Sequence, residues 1–101
     1  MEKFIPVVVV NDLQQTYKIL SALRANGINC AEITFRTSCA EEAIRYAVEK
    51  FPDMQIGAGT VINQQQCEQA LSAGAGFIVS PGLSLDVAMT CKEKNVPYYP
   101  G

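Results

Sequence analysis

The chain contains no histidine, and that absence removes much enzyme chemistry at once. Triads built on an imidazole base are excluded, as are zinc sites built from histidine and carboxylate. Any catalysis falls to carboxylate, lysine, hydroxyl or backbone groups. Four cysteines are present (Cys30, Cys39, Cys67 and Cys91), but none are spaced C-x-x-C. They read as four reduced thiols, several of them filling the core. There is no basic excess: Lys plus Arg number 8 against 10 Asp plus Glu, for a net charge of -2 and a pI near 5.0. No basic patch with interleaved aromatics occurs, so neither nucleic acid nor a membrane surface is an expected partner. No apolar run approaches the ~20 residues of a membrane span. Ile5–Val10 is too short for the apolar region of a secretory signal and lacks a small-residue cleavage site. The expected location is therefore cytoplasmic.

What is present is an alternation of strands and helices. With 49% hydrophobic and 18% charged residues over 101 positions, the composition is that of one small globular domain. A chain of this size buries only about 60–70% of its unfolded surface. Strand one is Ile5–Val10, a continuous apolar run of the kind buried on both faces. Asn11 and Asp12 cap a helix with an apolar stripe of Leu13, Tyr17, Leu20 and Leu23, stopped at Gly27. Strand two is Ile28–Phe35. Ser38 and Glu41 then form a capping box for a helix lined by Ala40, Ala43, Ile44, Ala47, Val48 and Phe51 and ended by Pro52. Strand three, Gln55–Ala58, runs into Gly59-Thr60. Asn63 with Gln66 caps the third helix, which carries Cys67, Ala70 and Leu71 and ends at Gly74. Strand four, Phe77–Ser80, runs into Pro81-Gly82, and Ser84 caps the fourth helix with Val87, Ala88 and Cys91 inward. Strand five starts at Val96. Short loops and no hairpin signal mean a parallel sheet with right-handed crossovers. Two closures are compatible with this: a doubly wound open sheet, or part of a (βα)₈ barrel, which typically needs ~250 residues.

Chemistry concentrates in the second strand. Side chains alternate faces along a strand, so Glu32, Thr34 and Arg36 share one face and Ala31, Ile33 and Phe35 the other. Ile33 and Phe35 suit packing under helices, which leaves the polar set on the opposite face. A carboxylate and a guanidinium inside a parallel sheet are costly unless paired or used. The bland alternative is a structural Glu32–Arg36 ion pair at the sheet end. A second signal is Gly57-Ala58-Gly59-Thr60-Val61. Its glycines permit close approach of a backbone or ligand, and Thr60 places a hydroxyl at the carboxyl end of a strand, where α/β folds bind ligands. A plain tight turn would use glycine too, and the G-x-G-x-x-G dinucleotide spacing is absent. Ser80-Pro81-Gly82, echoed by Pro100-Gly101, is by itself mostly turn chemistry.

Taken in register, four segments resemble the 2-keto-3-deoxy-6-phosphogluconate (KDPG) and 4-hydroxy-2-oxoglutarate (KHG) aldolases. They are Ala31-Glu32-Ile33-Thr34-Phe35-Arg36-Thr37, Gly57-Ala58-Gly59-Thr60-Val61, Ser80-Pro81-Gly82-Leu83 and Pro97-Tyr98-Tyr99-Pro100-Gly101. The resemblance covers the whole chain but only the first half of the family's barrel. It implies an α/β fold in which residues 1–101 form a single partial (βα)₈ TIM-barrel domain with strands one to five. It further implies a class I aldolase that uses no cofactor and no metal, usually a homotrimer. The implied substrate is a small keto acid, cleaved through a lysine Schiff base. KDPG gives pyruvate and glyceraldehyde 3-phosphate, and 4-hydroxy-2-oxoglutarate gives pyruvate and glyoxylate. By the same resemblance Glu32 matches the catalytic general acid/base. Arg36 matches a residue that holds the substrate carboxylate, and Thr60 matches the hydroxyl of the pyruvate pocket.

The family's Schiff-base lysine lies on strand six and its phosphate-binding turns follow strands seven and eight. None of Lys3, Lys18, Lys50, Lys92 and Lys94 sits at a strand's carboxyl end. The 101 residues alone are therefore expected to lack aldolase activity and to be marginally stable or self-associating. Their inner face would be uncovered, the polar set would lie open to water and its pKa tuning would be lost. The alternative to a truncated aldolase is a non-catalytic half-barrel module that pairs with itself or with a complementary half.

Overall fold

The computed structural model describes residues 5–35 and 39–100. Nine elements alternate: β1 (Val7–Val8), α1 (Leu13–Ala25), β2 (Cys30–Thr34), α2 (Ala40–Lys50), β3 (Gln55–Gly59), α3 (Gln64–Ser72), β4 (Ile78–Ser80), α4 (Leu85–Lys94) and β5 (Tyr98–Pro100). All strand pairs are parallel and the sheet order is β1-β2-β3-β4-β5. A doubly wound sheet would reverse direction at a switch point. This one does not, so each right-handed crossover lays its helix on the same face. Of the two closures the sequence allows, the barrel-type winding is the one present.

Helix ends follow the side chains. Asp12 accepts from the Gln15 N–H (2.7 Å) and Gln15 reaches back to the Asn11 N–H (2.8 Å). Asn63 and Gln66 repeat that reciprocal arrangement at α3, and the Ser84 hydroxyl accepts from the Val87 N–H at α4. At α2 the N-cap is Cys39, whose side chain makes no capping bond. The expected partner Ser38 lies outside the described residues, and Glu41 accepts instead from Arg45 (3.2 Å). Three helices close with the same device, in which a left-handed residue lets the next N–H bond back five residues. Ile28 N–H donates to the Leu23 carbonyl, Ala75 to Ala70 and Val96 to Cys91, at 2.9, 3.0 and 2.9 Å. The left-handed residues are Gly27, Gly74 and Asn95.

The core lies between the sheet and its helices. Val8, Val10, Ala31, Ile33, Ile56, Ala58 and Ile78 meet Leu20, Ala43, Ile44, Ala47, Cys67, Ala70, Val87 and Cys91. All four cysteines carry thiols rather than disulfides. Cys67 and Cys91 touch across α3 and α4, Sγ to Sγ 3.7 Å. Burial, reinforced by the Cys91 contact and by Glu68, pushes the Cys67 thiol up to about 12. Such a thiol packs as an apolar group and is a poor nucleophile. On α1 the buried stripe is Thr16 and Leu20, with Ile19 and Leu23 partly covered. Leu13 and Tyr17 are exposed instead. Thr16 is tolerated there because its hydroxyl donates to the Asp12 carbonyl (2.9 Å).

One expectation fails at β1. It is not buried on both faces: Val8 and Val10 are 5% and 0% exposed, but Val7 and Val9 are 64% and 47% exposed. Helices cover only one side of the sheet, so alternate residues point to its open side. Among the described residues no helix is long and apolar enough to cross a membrane.

Gly27 has φ +78° and open space where a Cβ would stand. Gly27→Ala is therefore expected to cost about 1–2 kcal/mol through the backbone alone. Gly82→Ala, in equally open space at an ordinary φ, is expected to stabilise by about 0.4–1 kcal/mol. Urea unfolding midpoints of the two variants check this opposite pair of effects.

Candidate active site

The site is built on the open face of β2, β3 and β4. Register places Glu32 beside Val7 of β1 and Gly57 of β3, and Thr34 beside Gly59. The expected split of β2 is present: Ala31 and Ile33 are in the core with Phe35 packed against it, while Glu32 and Thr34 take the other face. Arg36, the third member of the set, lies outside the described residues.

The glycines of β3 each make room for a particular group. A Cβ at Gly57 would stand within the Phe77 ring. That ring is fully buried and meets Tyr99 edge-on, centroids 6.3 Å apart. A Cβ at Gly59 would collide with the Glu32 carboxylate. The Glu32 side chain has therefore run toward the carboxyl end of the sheet, and its head lies over Gly59. Desolvation by burial holds this carboxyl above its ordinary 4.5. The expected loss of tuning does not occur, because the glycine cleft and neighbouring strands half-bury the group even with one sheet face open. Thr34 departs further from that expectation, being only 1% exposed.

Thr60 follows Gly59 with φ +56°. A β-branched residue in left-handed backbone is an outlier, at a cost of order 1–3 kcal/mol, and persists only where its surroundings over-determine it. Here they do. The Phe35 N–H donates to the Gly59 carbonyl just before Thr60 (2.8 Å). Just after it, the Val61 N–H donates to the Val79 carbonyl (3.1 Å), and the buried Ser80 hydroxyl donates to the Val61 carbonyl (2.6 Å). Glu32 and Thr60 thus flank Gly59, one over it and one next to it in the chain.

Sequence reasoning missed three supports. Ser80 was legible only as turn chemistry, yet it pins the loop that carries Thr60. Phe77 gave no signal beyond a strand apolar residue, although Gly57 opposite a large ring is a pattern that register reveals. Tyr98 accepts from the Ser84 N–H (3.1 Å) and so ties β5 to the start of α4. Among the described residues no three His, Cys, Asp or Glu side chains gather to hold a metal.

Winding and site together describe the first half of a (βα)₈-type domain, with a half-buried carboxyl at the carboxyl mouth of its strands. The chain belongs to the KDPG and KHG aldolase family, whose model matches residues 1–101. It is 42% identical over 97 residues to the 2-dehydro-3-deoxy-phosphogluconate aldolase of Dickeya dadantii, covering 96% of this chain and 46% of that one. It is 40% identical to the KHG/KDPG aldolase of Escherichia coli K12 over the same shares. Among solved structures, the KDPG aldolase of Legionella pneumophila, with pyruvate captured as a covalent carbinolamine, superposes with a TM-score of 0.90. It shares 38% identity, over 96% of this chain and 47% of that one. The chain spans about half the length of the curated relatives it matches.

Two outcomes follow for the site residues. With its folded pKa raised, Glu32 binds its proton more tightly in the folded than in the unfolded state, so stability falls as pH rises from 4.5 through the folded value. Glu32→Gln removes that slope: melting temperatures should favour the variant at pH 7 and converge with the parent below pH 4.5. Thr60→Gly is expected to stabilise by about 1 kcal/mol by relieving the left-handed strain, measured as a raised urea midpoint.

Proposed function

We propose that this chain supplies the acid/base side of a class I aldolase acting on a small 2-keto acid. The observation that carries the reading is the Glu32 carboxyl, half-buried over Gly59 with its pKa raised. A carboxyl tuned toward neutrality can both give and take a proton during turnover. In this role Glu32 moves protons as the carbinolamine forms and as the carbon–carbon bond breaks. Arg36 presents a guanidinium to the substrate carboxylate, for which its planar fork is suited. Thr60, held rigidly beside Gly59, offers its hydroxyl to the pyruvate portion. The carbinolamine named for the Legionella protein supports a covalent route through a lysine. In this reading that lysine belongs to a sixth strand, and the substrates are KDPG, 4-hydroxy-2-oxoglutarate or both. The working assembly is a cytoplasmic homotrimer of whole barrels, and the 101 residues by themselves are inactive.

A second reading has its own observation. Val7 and Val9 are exposed on the open face, as an apolar surface awaiting cover would be. A non-catalytic half barrel would bury them against a second copy.

The two readings separate by reconstitution. The chain is mixed with the C-terminal half of the Escherichia coli relative, and pyruvate is trapped with borohydride. The aldolase reading expects an adduct on the added half, pyruvate release from KDPG, and no adduct on this chain alone. Glu32→Gln in the reconstituted pair is expected to lower kcat by about 10²-fold or more with KM little changed. A pair that assembles but neither traps nor releases pyruvate would overturn the reading, and stable dimers of the chain would then favour the second.

A further inference from the structure

Thr34 is buried, and its hydroxyl has no hydrogen-bond partner. Buried polar groups are nearly always satisfied, so an orphan on a functional face calls for a specific account. Its surroundings narrow that account. Thr34 pairs across the sheet with Gly59, and the Glu32 carboxylate lies over that same glycine. Two polar side chains of one strand, two residues apart, thus converge on one residue of the next strand that has no side chain of its own. They do not bond each other directly. A buried water needs two to four polar partners, and this pair supplies the first two.

We infer that Thr34 is a positioning residue: its hydroxyl and the Glu32 carboxyl hold one water molecule between them over Gly59, fixing the carboxyl that exchanges protons with the substrate. The inference rests on the aldolase reading for its purpose, but the bridge itself does not depend on catalysis. Facing Glu32 from the neighbouring strands of the open face are Val7 of β1 with Val9 just after it, Gly57 and Gly59 of β3, and Phe77 just before β4, none of them titratable. The titratable groups of that face are the buried Cys30 thiol, two residues before Glu32 on its own strand, and Tyr99 of β5, in contact with Phe77. Arg36 shares the strand parity but lies outside the described residues.

The test is carbon-13 NMR titration of Glu32 in the 101-residue chain, with a search for a long-lived water contacting the Thr34 methyl group. A donor held against the ionised carboxyl favours that form, so Thr34→Val should shift the Glu32 pKa upward and abolish the water contact. Thr34→Ser should restore both toward the parent. Ser21, on α1, carries the other buried hydroxyl oxygen without a partner among the described residues, and Ser21→Ala should move neither. A merely structural hydroxyl predicts a Thr34→Val chain that is more stable with an unmoved Glu32 pKa, and that result overturns the inference. In the reconstituted enzyme, Thr34→Val should lower kcat on the order of tenfold, leave KM nearly unchanged and shift the pH profile in the same direction as the pKa. An unmoved pKa with intact pyruvate trapping sinks this inference and leaves the function standing. A shifted pKa without trapping does the reverse.

Discussion

The register of β2 against β3 is the constraint on which the rest of the molecule depends. It sets Glu32 opposite Gly57 and Thr34 opposite Gly59, and it sets Ala31 and Ile33 against Ile56 and Ala58 on the helix side. A slip of one residue would send the carboxylate into the core and the aliphatic pair into water. The burial of Ile33, Ile56 and Ala58 against α2 therefore guards the position of the polar groups on the other face. Packing energy on one side of the strand is what holds chemistry in place on the other.

Much of this was legible from residue order. The alternation of strands and capped helices, the face split of β2 and the caps at Asp12, Asn63 and Ser84 all follow from local rules, because each depends on neighbours within four residues. Glu32 stood out because a carboxylate between good core residues is costly unless paired or used. What escaped was non-local. The half-burial of Glu32 depends on a glycine twenty-seven positions away. The exposure of Val7 and Val9 depends on which face the helices cover, which a continuous apolar run does not reveal. The left-handed backbone of Thr60 ran against β-branched propensity and is imposed by bonds from Phe35, Val79 and Ser80. Tertiary hydrogen bonds overrode a local preference, at a residue that the family resemblance had already singled out.

The same elements show where stability has been given up. Thr60 carries backbone strain, Thr34 a buried hydroxyl without a protein partner and Glu32 a desolvated carboxyl, all in or directly after two adjacent strands. None is required by the fold, since glycine, valine and glutamine would each fit more comfortably. Glu32 and Thr34 share one face of β2 and Thr60 directly follows Gly59 opposite them, so the three locally unfavourable choices gather at one place in the fold, as strained residues tend to do at functional sites.

Gly57 and Gly59 also limit how this surface can change. Any side chain at the first displaces an aromatic ring, and any at the second displaces a carboxylate. Even alanine overshoots the space available, so a change at Gly57 disturbs a buried ring and a change at Gly59 moves the carboxylate from its place. New ligand preferences in such a scaffold would have to arise from the rim (loops and strand ends such as Pro81-Gly82-Leu83) while the floor stays fixed. A surface built this way changes by redecorating its mouth, and any laboratory effort to alter it would do well to begin there.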